Sequence, residues 1–84
     1  MSDLEYDVLD ELYFVQSFAD LMETTDLEEK ELRPILLKLL NKGWIRCYST
    51  VSDEVPAEEL DFELEFRNYF YLASKAGLLA HNSN

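Results

Sequence analysis

At 84 residues the chain has room for one domain with a modest core. Its composition, 48% hydrophobic with two glycines and two prolines, is that of an ordered globular chain and excludes intrinsic disorder. Eighteen acids against seven lysines and arginines give a formal net charge of −11, which disfavours work on a phosphate-rich surface.

Ser2 followed by Glu5 is a capping-box pattern, and Leu4, Val8, Leu12 and Val15 recur at helical spacing beside Leu9 and Tyr13, which predicts a first helix. Ser17 with Asp20 three residues on starts a second, short helix whose apolar side is Phe18, Leu21 and Met22. Thr25, Asp26 and Glu28 signal a third start, and Leu32, Ile35, Leu36, Leu39 and Leu40 form a broad core-facing stripe that Gly43 ends. Pro34 lies beyond the first turn of that helix, so a kink or a 3₁₀ start is expected there.

After Gly43 the period changes from helical to alternating. Trp44 to Thr50 reads as a strand that returns as Phe66 to Leu72 to make a hairpin. The intervening residues 51–65 carry seven acids, Pro56 and no lysine or arginine, which suits a solvated wing loop with a brief turn near Ala57 to Leu60. Ser74 then caps a last helix through Leu78 and Leu79, leaving residues 81–84 as a polar tail expected to fray. The reading is one domain over residues 1–84. The single Cys47 can form no internal disulfide, and no run resembles a signal peptide or a membrane span, so a cytoplasmic protein is expected.

Two stretches carry a family resemblance. Leu36 to Ile45, reading Leu-Leu-Lys-Leu-Leu-Asn-Lys-Gly-Trp-Ile, looks like the end of a recognition helix, its glycine stop and a first strand. Tyr69 to Leu79 looks like a returning strand and its junction with a helix, with Ala73-Ser74-Lys75-Ala76-Gly77 standing where many members have Leu-Thr-x-x-Gly. Together with the helical spacing, they resemble the winged helix-turn-helix superfamily of bacterial transcriptional regulators. The resemblance implies an α+β, mainly α fold of three helices, a two-stranded β-hairpin wing and a short C-terminal helix. It also implies a DNA-binding third helix.

Residue by residue, the charge opposes that implication. The positions that would enter a major groove are Glu28, Glu29, Lys30, Glu31 and Arg33, and the wing that would touch phosphates offers Asp53, Glu54, Glu58, Glu59 and Asp61. Non-specific duplex binders neutralise on the order of 6–10 phosphates, and the seven cations here are scattered over three elements. A DNA-binding regulator remains the alternative reading, with Lys30, Arg33, Lys38 and Lys42 as its contacts.

The hairpin suggests a different surface. If Ile45 and Cys47 face the core with Phe66, Phe70 and Leu72, alternation sends Trp44, Arg46, Tyr48, Arg67, Tyr69 and Tyr71 outward together. Trp, Tyr and Arg are the types enriched at protein–protein hot spots. The alternative is that another element covers these rings or that they only decorate the sheet. Asp61, Glu63 and Glu65 would share one side if the second strand began early, but their spacing matches no metal loop, and a solvated acidic surface is the simpler reading. A docking surface for a basic partner, or imitation of nucleic-acid charge, is a further reading of these acids. No catalytic, cofactor-binding or metal-binding residue stands out. His81 falls in the expected tail, Cys47 reads as core filling, and no phosphate loop or nucleophile turn occurs, so no enzyme is expected. The sequence points to an acidic module that binds a protein partner or a second copy of itself in a regulatory or multisubunit assembly.

Overall fold

In the computed structural model, which describes residues 1–83, Ser2 and Glu5 cap α1 (Asp3–Glu11) reciprocally, each backbone N–H donating to the other side chain at 3.2 Å. The helix ends at Glu11 rather than Val15. The Leu12 carbonyl accepts from Ala73 N at 2.9 Å, and Gln16–Ser17 form a two-residue strand, β1, so pairing with the sheet displaces the last helical turn. Ser17 caps α2 (Phe18–Thr25) by accepting from Asp20 N at 3.1 Å. That helix stops at Asp26, whose φ of 57° is in the left-handed region that Asp tolerates better than most residues.

The third helix, α3 (Glu29–Asn41), runs through Pro34 as continuous α-helix, without the 3₁₀ start expected there. The carbonyl deprived of its donor belongs to Lys30, and both Lys30 and Pro34 are exposed, so water can satisfy it. The stripe of Leu32, Ile35, Leu36 and Leu39 is buried in one cluster with Val8 and Leu9 of α1, Leu12 at its C-cap, and Phe18 and Leu21 of α2. At its end, Trp44 N donates to Leu39 O and Gly43 N to Leu40 O, both at 3.0 Å, with Gly43 at φ +73°. This is the paired hydrogen bonding of a Schellman stop, and its positive φ favours glycine.

Strands β2 (Ile45–Tyr48) and β3 (Phe70–Ala73) pair antiparallel, and β1 joins the far side of β3, giving the order β1-β3-β2. Among the described residues the fold is therefore α+β and mainly helical, with five α-helices and one three-stranded antiparallel sheet. The return strand is shorter than predicted and of opposite parity. Tyr71 and Ala73 face the core, while Phe70 and Leu72 face outward. Tyr71 is fully buried opposite Cys47, and its hydroxyl donates to the Phe66 carbonyl at 2.7 Å. Tyr71→Phe leaves that carbonyl without its donor and is expected to cost about 1–2 kcal/mol. Urea unfolding would read the loss; an unmoved midpoint would show that the hydroxyl contributes nothing.

Residues 51–65 are not a free wing. Glu54 bridges to Tyr48, Ser49 N donates to Asp53 O at 2.8 Å, and Val55 N donates to Cys47 O at 2.9 Å, so the chain first doubles back along β2. A 3₁₀ turn at Ala57–Glu59 matches the predicted brief turn. An unpredicted helix, α4 (Phe62–Glu65), then buries Phe62 and Phe66 against the core, their rings 5.5 Å apart and Phe66 edge-on to Phe18 at 5.2 Å. The Tyr69 hydroxyl accepts from Asp61 N at 3.0 Å and so fixes the start of α4.

Ser74 joins the sheet to α5 (Lys75–Asn82). Its N–H donates to Trp44 O at 2.9 Å and its hydroxyl to Gly43 O at 2.6 Å, while Gly77 N donates to that hydroxyl at 3.1 Å. The expected frayed tail is corrected over its described part, because α5 continues to Asn82 and His81 is buried. The His81 ring stacks on Tyr6 at 4.1 Å, its Nδ1 lies 2.8 Å from the Tyr13 hydroxyl, and its Nε2 is 3.4 Å from the Asp10 carboxylate. These contacts clamp α5 to α1. Asn84, the last residue of the expected tail, lies outside the described residues.

Candidate functional site

The aromatic face expected on the hairpin is redistributed. Tyr69 and Tyr71 are buried by the change in strand parity, and Arg67 is not on the sheet at all. Trp44 is partly buried, packs against the core and carries the Lys42 ammonium 4.6 Å from its ring centroid. Arg46 and Tyr48 do face outward, and their cross-strand partners on that face are Leu72 and Phe70. The surface is therefore Arg46, Tyr48, Phe70 and Leu72, the last three partly buried, with Arg46 paired to Glu54 at 3.0 Å. The sequence reading carried the inward side of Phe66 by alternation to Phe70 and Leu72, but Phe66 is buried by the turn that ends α4 and does not belong to the strand.

Three of the four cations of the alternative DNA-binding reading, all but Lys38, are tied to the chain's own carboxylates. Arg33 pairs with Glu63 at 3.1 Å, Lys30 more loosely with Glu28 at 3.5 Å, and Lys42 with Glu5 at 2.7 Å. Arg67 grips Glu29 in the first turn of α3 with two bonds of 2.7 Å while lying 4.5 Å from the Phe66 ring centroid. That bond holds the Glu29 carboxyl below the usual range and raises the Arg67 guanidinium. Among the described residues, Lys38 and Lys75 make no ion pair, so five of seven cations are neutralised internally. The bonds Arg33–Glu63 and Arg67–Glu29 also draw the acidic excursion and the turn after α4 onto the start of α3, the part that would have to enter a groove.

The Glu5–Lys42 pair is the least exposed of these. Glu5 is buried at 6% exposure, and its carboxyl is lowered to about 2, first by the Lys42 hydrogen bond, with the Ser2 bonds adding to it against the cost of burial. Lys42 thus links α1, the end of α3 and Trp44.

Between the second half of α3, β2 and the excursion lies an open cleft of about 220 Å³. Its apolar lining includes Leu37, Leu40, Ile45, Val55, Leu60 and Phe62. Cys47 also lines it, but burial pushes the thiol up to about 12, so it is a poor nucleophile at neutral pH. The sequence reading missed this cleft, although Val55 and Leu60 are the apolar signal inside an otherwise acidic run. Asp61, Glu63 and Glu65 belong to a helix and its cap rather than to a strand; the Asp61 backbone N–H donates to the Tyr69 hydroxyl, while the Glu63 and Glu65 carboxylates accept from Arg33 and Asn68.

Among the described residues no helix is long and apolar enough to cross a membrane. No protein-family model, curated protein or solved structure matches the chain.

Proposed function

We propose that this chain is an acidic winged-helix module that acts by protein–protein contact in a regulatory or multisubunit assembly, with self-association through the outer sheet face as its mode. The winged-helix assignment is supported by the order α1, β1, α2, α3, β2, β3, α5, in which α4 is an addition between β2 and β3, and by a short β1 that completes the sheet beside the returning strand. One observation carries the functional reading: five of the seven cations that a duplex would need are spent on Glu5, Glu28, Glu29, Glu54 and Glu63. Binding DNA would require breaking these pairs beneath a field of unpaired carboxylates, which removes the counterion-release gain that drives such binding.

Self-association is supported by Tyr48, Phe70 and Leu72 clustered beside the Arg46–Glu54 pair. Apolar area with both charge signs on one face suits an isologous two-fold contact. The patch is small, so association is weak and strongly concentration-dependent. Sedimentation equilibrium is expected to show a reversible dimer that Tyr48→Ser with Phe70→Ser converts to monomer without unfolding. A labelled random duplex is expected to show no capture at low salt. A parent that is monomeric at every concentration removes self-association, and tight, salt-sensitive duplex binding overturns the protein-interaction reading in favour of a DNA-binding regulator.

A further inference from the structure

We infer that His81 makes α5 a proton-operated latch on α1: the imidazolium form holds the helix down, and loss of its proton loosens it. His81 is the chain's only histidine and is buried, yet among the described residues its Nε2 has no hydrogen-bond partner. That nitrogen lies 3.4 Å from the Asp10 carboxylate, so a proton on it makes an ion pair between the two helices.

The other ring nitrogen sets the proton count. Nδ1 lies 2.8 Å from the Tyr13 hydroxyl, which has one proton and also lies 2.9 Å from the Asn82 side-chain oxygen. If that proton goes to Asn82, Nδ1–H must donate to Tyr13, and Nε2 of a neutral ring is a bare acceptor aimed at a carboxylate. If it goes to Nδ1, the ring's own proton serves Asp10 and Asn82 loses its donor. A neutral ring thus leaves one of these contacts unmade, whereas the imidazolium donates to Tyr13 and Asp10 while Tyr13 donates to Asn82. The face-to-face stack on Tyr6, at 4.1 Å and 18°, adds to the preference because an aromatic face attracts a cation.

The groups around the ring agree with this sign. From α1 it faces Tyr6, Asp10 and, just beyond the helix, Tyr13, while the exposed Asp3 and Asp7 make no ion pair among the described residues. From β3, which also packs on α5, the titratable group is Tyr71, whose hydroxyl is given to Phe66. Lys42, beside the Gly43–Trp44 turn under the start of α5, is paired to Glu5, and Lys75 is exposed at the opposite end of α5 from His81. Burial of the ring opposes its charge, and the net charge of −11 favours it. The stabilising contact is present with the proton on and is lost as the pH rises through the imidazole range. Ser74 anchors the start of α5 to Gly43 and Trp44, so the His81 end is the one from which the helix can lift.

Amide hydrogen exchange at about pH 5.5 and about pH 7.5, corrected for intrinsic rates, tests the latch, with α3 amides as the reference for opening of the whole domain. Protection of the second half of α5 relative to α3 is expected to be roughly threefold higher at the lower pH. Asp10 is exposed, so Asp10→Asn keeps the fold, and its ratio between the two pH values is expected to fall to about one or below. The Met1 α-amino group titrates near the top of this interval but is common to both proteins. The ¹⁵N shifts of the single imidazole read its protons directly and are expected to show both nitrogens protonated at the lower pH. His81→Phe, which keeps a ring on Tyr6 without a proton, is expected to lose the pH dependence, and its retention would place the titrating group elsewhere and overturn the latch. Equal ratios in the parent and Asp10→Asn, a parental ring that is neutral at the lower pH, or protection that changes equally in α3 and α5 would each do the same.

Discussion

Gly77→Ala is expected to lower stability by about 3 kcal/mol or more, the upper range of overpacking costs. A Cβ built on Gly77 would lie 2.9 Å from the Trp44 carbonyl carbon and closer still to its oxygen. The obstruction is backbone on both sides, so no side-chain rotation relieves it. That oxygen is already held by Ser74 N, and Ser74 is the N-cap of the same helix, so α5 cannot move away without losing Ser74's bonds to Gly43 and Trp44. The His81 clamp on α1 would be drawn off with it. For a domain of this size the fall in melting temperature is about 12–20 °C. Calorimetry would read it, and a melting temperature within a few degrees of the parent would refute the close approach of α5 to the Gly43–Trp44 turn.

The second large effect is a sensitivity to acid that one residue supplies. Glu5 is lowered from the ordinary 4.5 to about 2 by Lys42. A carboxyl depressed by folding stabilises the native state fully above its unfolded pKa, and that contribution is lost as the pH falls from about 4.5 towards 2. Lys42 is partly exposed, so the contribution is discounted to about 2 kcal/mol. Glu5→Gln is expected to lose about that amount at pH 7 and to show a correspondingly shallower decline between pH 5 and 2.5. Relief of repulsion among the remaining acids acts in the opposite direction on both proteins, so the difference between them isolates Glu5. Urea unfolding of the pair across this range is the measurement, and parallel curves would show that the buried pair carries no linkage.

The helices were legible because their signals are local. Ser2 with Glu5, Ser17 with Asp20, Gly43 and Ser74 each mark a boundary that the backbone itself needs, and all four perform those roles. The β1 strand was illegible because a two-residue strand has no period of its own and exists only where β3 offers it a partner. The return strand failed on parity. Phe66 read as its first residue, yet Phe62 and Phe66 are four apart and belong to one turn of helix, so the burial of Phe66 does not set the alternation of the strand that begins at Phe70. Taking its phase from Phe66 put Tyr69 and Tyr71 outside, and their burial dissolves most of the expected hot spot. The charge reading fared differently. Composition disclosed the excess of acids, whereas which carboxylate meets which cation depends on contacts spanning up to 38 positions, as for Arg67 with Glu29.

The bridge between Glu54 and Tyr48 bears on how this protein behaves when concentrated. One margin of the sheet ends in only two residues, Gln16–Ser17, and the other is occupied by a charged residue of the same chain. Neither offers a long row of vacant amides on which a neighbour can grow fibril-like ladders. Crowded molecules are thereby steered away from lateral polymerisation through their sheet edges.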